Sequence, residues 1–344
     1  MNEKTLADFL RQYPGQPLRL MEVCGTHTAA LYRTGLRQLL PERITLLSGP
    51  GCPVCVTPTA YIDKLAQYAL TPGFQVLSFG DMLAVPGSRM SLADARDQGG
   101  AVDFFYAPED ALAKAEKNPD ITYILAAVGF ETTAPVWATI VKEAAERNLR
   151  NIKFLTALKT MPQALSYLCG QGEIDGFLCP GHVAVITGSD AFAGLAARFG
   201  STMVIGGFSP QQLLRALARL VLESSRGHDG LWNEYPSVVK PEGNTAAKKI
   251  MEEVFEEGAA AWRGIGILNG SGLYLNKKFK AWDAGSYGLD TDSVPAGCLC
   301  KKIVLGQAQP KQCPFFGTRC APEHPVGACM VSSEGSCCIT YREG

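Results

Sequence analysis

Residues 121–148 read ITYILAAVGFETTAPVWATIVKEAAERN. Ile121–Val128 is a short apolar run with β-branched members, the pattern of a buried strand. GFETTAP, at 129–135, supplies loop and turn chemistry, and Trp137–Asn148 is long enough for a helix. A second apolar run, Ile152–Leu155, follows at once. This is a strand–loop–helix–strand unit, the building block of a parallel sheet covered by helices.

The same unit recurs outward in both directions. Arg19–Val23 precedes CGTHT, Ile44–Leu47 precedes SGPGCPVC, and Gln75–Ser78 precedes FGDMLAVPGS. Further on, Gly176–Leu178 precedes CPGHV and Thr202–Ile205 precedes GGFSP. Helix-length segments lie between several of them: Thr59–Ala69, Pro162–Cys169 and Pro210–Ser224. The alternation from about Arg19 to Pro210 predicts an α/β protein with parallel sheets covered by helices, long enough for two such domains, 18–120 and 121–224. In such sheets ligands gather beyond the carboxyl ends of the strands, where the unusual loops fall. That placement predicts a cleft shared by Cys24, Cys52, Cys55, Glu131 and His182.

After residue 225 the character changes. Gly227–Gly243 is polar and turn-rich, as in a linker. Thr245–Trp262 reads as a helix with Ile250, Val254 and Phe255 on its apolar side, and 263–296 as short strands and loops. Residues 225–344 are expected to form a third, α+β domain, with 1–17 as an arm packed on it.

The chain has 344 residues, 32 basic and 33 acidic, with 47% hydrophobic content, enough for two or three cores. No basic stripe or aromatic–basic interleaving is present, which sets nucleic-acid binding aside. Charges run through the first seventeen residues, against an export signal, and no run of 18 apolar residues suggests a membrane span. No G-x-G-x-x-G or Walker A sequence supports NAD or P-loop nucleotide chemistry. A cytoplasmic location is expected.

Seven of the twelve cysteines crowd the end of the chain, as C-x-C-x12-C-x6-C-x8-C-x7-C-C from Cys298 to Cys338. Soft thiolates beside few histidines suit an iron–sulfur cluster, which needs four of them. Zinc would also take four thiolates, although its usual tight pairs are missing. Disulfides or free thiols are the third possibility. Near the other end, Cys52-Pro-Val-Cys55 reads as a redox pair, half of a metal site, or two structural cysteines. Cys24 and His27 share one loop after a strand. His27 reads as an acid–base group, a donor to an anion, or a satisfied loop histidine. Glu131 reads as a cleft residue or as a cap for the helix beginning near Pro135. Cys179 lies beside the His182 loop, and Cys169 reads as core.

Taken together, CGTHT at 24–28, SGPGCPVC at 48–55, GFETTAP at 129–135, CPGHV at 179–183 and CPFFGTRCAPEHPVGACMVSSEGSC at 313–337 closely resemble the HypD family of [NiFe]-hydrogenase maturation factors. The similarity runs through essentially the whole chain in the same order. It implies two α/β domains around a cleft and a third domain with a [4Fe–4S] cluster. It further implies assembly of the Fe(CN)2CO moiety, with Fe(II) carried transiently by Cys24 and a thiol of the chaperone HypC. Cyanide would come from a thiocyanate on HypE. Cys52 and Cys55 would be the redox pair, and His27, Glu131 and His182 would line the cleft. From the same resemblance, Cys298, Cys313, Cys320 and Cys337 would hold the cluster, and Cys300 and Cys329 would be the adjacent dithiol, fed by an electron donor the sequence does not name. Spacing leaves Cys329 open as a ligand in place of Cys298. Lys301 stands where the family usually has Gly, and Cys338 is an extra thiol. The competing class of explanation is an iron–sulfur scaffold or thiol–disulfide electron-transfer protein whose chemistry resides on its partners.

Overall fold

The computed structural model describes residues 2–344. Eleven strands form two sheets: β1 (Leu18–Glu22), β2 (Ile44–Ser48), β3 (Phe74–Ser78), β4 (Val102–Phe104), β5 (Thr122–Gly129), β6 (Ile152–Lys159), β7 (Gly176–Pro180), β8 (Thr202–Gly206), β9 (Gly230–Asn233), β10 (Phe255–Trp262) and β11 (Gly266–Leu275). All seven strands read from apolar runs are present, within a few residues at their ends. The helix Thr59–Ala69 has the expected bounds, and Ala134–Glu146, Met161–Cys169 and Pro210–Ser225 lie where helices were read.

The unit at 121–159 shows why these residues fold this way. β5 is buried at every position after Thr122, as a central parallel strand must be. The next helix opens with a proline in its first turn and turns Trp137, Ile140, Val141 and Ala144 inward. These side chains meet Tyr123, Leu125 and Phe154 of the sheet in one apolar cluster.

Strand pairing corrects the expected division of the chain. One sheet has the order β2-β1-β7-β8-β9 and the other β10-β11-β6-β5-β3-β4. Each draws strands from both sides of residue 120, so 18–120 and 121–224 are not separate units. The chain lays two strands in the first sheet, four in the second, three back in the first, and two again in the second. The first sheet is all parallel; in the second, β11 pairs antiparallel with β6, and β10 antiparallel with β11.

The region after 225 is likewise distributed. Gly230–Asn233, expected in a linker, is an edge strand on β8. The expected helix over 245–262 stops at Val254, and Phe255–Trp262 is a strand. Its alanines favour helix locally, but pairing from Phe255↔Leu275 to Trp262↔Gly266 wins. The cysteine-rich tail, 298–344, has short helices at Cys300–Val304 and Ser336–Glu343. Its apolar residues Cys300, Ile303, Val304, Cys329 and Met330 share one cluster with Met21, Val23, Leu47 and the Cys52–Cys55 loop. The tail thus packs on the first sheet through this cluster. The N-terminal helix, Glu3–Arg11, packs through Leu10 on the helix Pro210–Ser225, and not on the region after 225 as expected.

Candidate functional site

The carboxyl ends of both sheets open on one cavity of about 870 Å3. Its wall carries Cys24 and Thr26 after β1, Gly51, Pro53 and Val54 after β2, and Asp81 after β3. Phe130, Thr132 and Thr133 follow β5, Met161 follows β6, and His182 follows β7. Glu334 of the tail closes one side.

Cys24 is buried where β1 hands over to the helix Gly25–Arg33. Two glycines make that position possible. A Cβ on Gly51 would run into the Cys24 backbone, and one on Gly25 would meet Glu334. Gly25 donates its backbone N–H to the Gly51 carbonyl at 3.1 Å, which locks the two loops together. Burial pushes the Cys24 thiol up to about 12, the amide of His27 pulls it down, and the charges of Glu22 and Glu334 add to the rise. A bound cation would relieve this cost by replacing the proton.

The Cys52–Cys55 pair forms a disulfide with its Cα atoms 5.3 Å apart, buried under that loop. The Cys55 sulfur lies 3.9 Å from the Ala328 carbonyl, one residue before Cys329. The Cys329 sulfur is 3.5 Å from that of Cys300, and both are buried. The two thiol pairs are therefore neighbours across a tight contact between the first sheet and the tail.

A small pocket of about 20 Å3 is walled by Cys298, Cys300, Cys313, Cys320, Cys329 and Cys337, with Ile303, Phe316 and Met330. Cys338 is not in its wall. Burial and the neighbouring thiols push Cys298 up to about 12 and raise Cys337. Among the described residues no three His, Cys, Asp or Glu side chains are gathered tightly enough to hold one metal ion. The thiols are instead disposed around the pocket, with no carboxylate or imidazole among them. Such an all-sulfur donor set, closed in by apolar side chains, fits an iron–sulfur core.

His182 stacks on Phe208 with ring centroids 3.7 Å apart, and burial lowers its basicity. His27 stacks on the same ring at 4.6 Å. It is fully buried, with Nε2 3.2 Å from the Gly207 carbonyl, and burial holds it down to about 4. It lies behind the cavity wall rather than in it, a departure from the expected cleft position, and is neutral at pH 7. Glu131 also departs. It is buried under the wall, accepting the Met161 N–H at 2.8 Å through Oε1. It caps the helix Met161–Cys169 from a distance, not the helix after Pro135. Oε2 finds no partner among the described residues, and burial raises the carboxyl to about 7.

Sequence reading missed two acidic neighbours of Cys24, Glu22 and Glu334, and a third acid, Asp81, in the same cavity wall. Glu22 is buried beneath it, accepting the Cys24 N–H at 3.0 Å and the hydroxyl of Thr28. Glu334 accepts from Thr26 Oγ1 at 2.9 Å, and Asp81 accepts from Ser332 Oγ at 3.2 Å. A signal existed only for Glu22, a charge at the carboxyl end of a parallel strand, just before the Cys24 loop. No described helix is long and apolar enough to cross a membrane.

Comparison with known proteins identifies the family. The family model HypD, described as "Hydrogenase formation hypA family", matches residues 2–344. The hydrogenase maturation factor HypD of Azotobacter vinelandii is 39% identical over 350 residues, 98% of this chain and 91% of that protein. That of Escherichia coli (strain K12) is 38% identical over 333 residues, covering 95% and 89%. That of Cupriavidus necator is 37% identical over 344 residues, covering 96% and 91%. With a family match along the described chain and relatives at this identity over nearly all of it, the chain belongs to the HypD family of hydrogenase maturation proteins.

Proposed function

We propose that this chain, with HypC and HypE, assembles the Fe(CN)2CO moiety of [NiFe] hydrogenase, carrying Fe(II) as cargo on Cys24. The observation that carries the reading is the placement of Cys24 in the cavity wall, on a loop hydrogen-bonded to the loop that carries the buried Cys52–Cys55 disulfide. Soft thiolate ligation suits an iron–cyanide unit.

Freeing cyanide from a thiocyanate R–S–CN takes two electrons. Reduced Cys52 and Cys55 can give them: the S–CN bond breaks, the two cysteine sulfurs join, and their protons pass to the leaving thiolate and to cyanide. The observed Cys52–Cys55 disulfide corresponds to the product state of that step. Cys300 and Cys329, adjacent thiols on the far side of the contact, are the pair suited to restore it. Cys298, Cys313, Cys320 and Cys337 would hold the [4Fe–4S] cluster, which supplies single electrons when bound. His182 stands where it could hydrogen-bond a ligand in the cavity. His27, by its burial, is better suited to orienting the Phe208 stack, and Glu131 to holding the Met161 wall.

The test is infrared spectroscopy on the complex with HypC purified from cells producing C24A. The expected result is loss of the CN and CO stretches. Full intensity in C24A would refute Cys24 as the iron ligand. Iron and sulfide analysis of C298A against C329A separates the two ligand sets: loss in C298A with retention in C329A is expected.

A further inference from the structure

The β10–β11 hairpin reaches across from the second sheet, and its tip, Arg263–Ile265, lies between the two thiol pairs. Arg263 is buried. Its backbone N–H donates to the Val56 carbonyl at 2.8 Å and Nε donates to the Thr57 carbonyl at 2.7 Å, so both bonds grip the residues just after Cys55. Nη2 donates to the Pro86 carbonyl at 2.9 Å, and Asp292 lies 3.7 Å from Nε as counter-charge. On the other side, Gly264 takes φ +79°, and a Cβ there would press on the Lys301 backbone, the residue after Cys300.

Burying a guanidinium is costly, and an apolar residue at a hairpin tip would pack without that cost. The hydrogen bonds to Val56 and Thr57, with Gly264 against Lys301, give the charge a specific use. We propose that Arg263 is a positioning residue that couples the two thiol pairs, holding the segment after Cys55 against the Cys300 helix so that the redox state of one pair is felt at the other. The exchange it serves is balanced within the chain. Cys300 and Cys329 lose two electrons and two protons and join as a disulfide; the Cys52–Cys55 bond breaks and its sulfurs take them. The proposal rests on the reading that these pairs exchange electrons.

The experiment is a cycle of variants in the full chain, purified without oxygen and equilibrated in dithiothreitol redox buffers. Alkylation and mass spectrometry of the Cys52/Cys55 peptide give the equilibrium constant for its reduction. Replacing the second pair (C300S with C329S) is expected to shift that constant by about tenfold when Arg263 is present, within the range for groups sharing one network. With R263M the same replacement is expected to produce no shift. R263K, which keeps the charge without the planar fork, serves as a second, milder variant, and circular dichroism checks folding of each. Loss of the shift in either Arg263 variant supports the proposal. An equal shift with and without Arg263 overturns it while leaving communication between the pairs intact. No shift even with Arg263 present overturns the exchange reading itself, and the proposal with it.

Discussion

Replacing Glu131 by Gln should change how the protein's stability depends on pH, by an amount the structure sets. Glu131 is buried, its ordinary value of 4.5 is raised to about 7 by desolvation, and Oε1 holds the Met161 N–H. A carboxyl raised in the folded state stabilises fully below the unfolded value, and that contribution is lost as pH rises through the folded one. The window is therefore 4.5 to about 7. At about 1.4 kcal/mol for each tenfold change, the loss across it is roughly 3 kcal/mol. The wild-type profile alone cannot show this. Burial raises Glu22 and Glu334 and slopes them the same way, while His27, held down to about 4, slopes oppositely. The difference between wild type and E131Q removes those shared contributions. The glutamine oxygen still accepts from Met161 and the side chain cannot ionise, so any fixed cost of the amide is the same at every pH. Urea unfolding at pH 4.5, 5.5, 6.5 and 8 should show wild type losing roughly 3 kcal/mol relative to E131Q as pH rises. Parallel profiles at all four values would refute the protonated, buried carboxyl.

Three further outcomes follow from particular contacts. G51A places a methyl group against the Cys24 backbone, so it should cost about 1–3 kcal/mol in urea unfolding and weaken iron retention in the HypC complex, whereas G73A, in open space at a turn, should leave iron retention unchanged. F208A removes the ring between His27 and His182, and an NMR titration should show His182 returning toward its ordinary 6.5 as its surroundings become wetter. C313A, in the wall of the thiol pocket, should lose iron and sulfide on analysis, while C338A, outside that wall, should retain both.

The individual elements were legible because each is local. Short β-branched runs gave strands, and Pro and Gly marked where loops began. The sheet to which each strand belongs was not legible. β7 pairs with β1, more than 150 residues earlier, and nothing in either segment's pattern names the other. The strand at 255–262 was hidden for a related reason, since its alanines read as helix until β11 is there to pair. At the site, the loops were found by their odd composition, and their convergence by the rule that ligands sit at strand carboxyl ends. What stayed hidden were side-chain directions. His27 and His182 look equivalent as loop histidines, yet one is sealed behind Phe208 and the other faces the cavity. Nothing in the sequence around Glu334 marks it, and only the fold of the tail brings it to Cys24.

The interleaved order of strands has a chemical consequence. With two contiguous domains, Cys24, Cys52 and Cys55 would belong to one lobe, and a hinge between lobes could separate them from the rest of the cavity. Here the first sheet holds Cys24 and the Cys52–Cys55 loop on β1 and β2, and it holds His182 after β7. The second sheet reaches the same cavity through the loops after β3, β5 and β6, and its hairpin tip at Arg263 grips the residues after Cys55. The tail packs against both thiol-bearing loops through Ala328 and Glu334. The chain passes between the sheets three times before the tail begins, so a rigid opening of one against the other would have to break several of these contacts together. Access for a partner's thiocyanate should therefore come through the existing mouth of the cavity. Tyr106, almost fully exposed in that wall, is the side chain with the most freedom to make way.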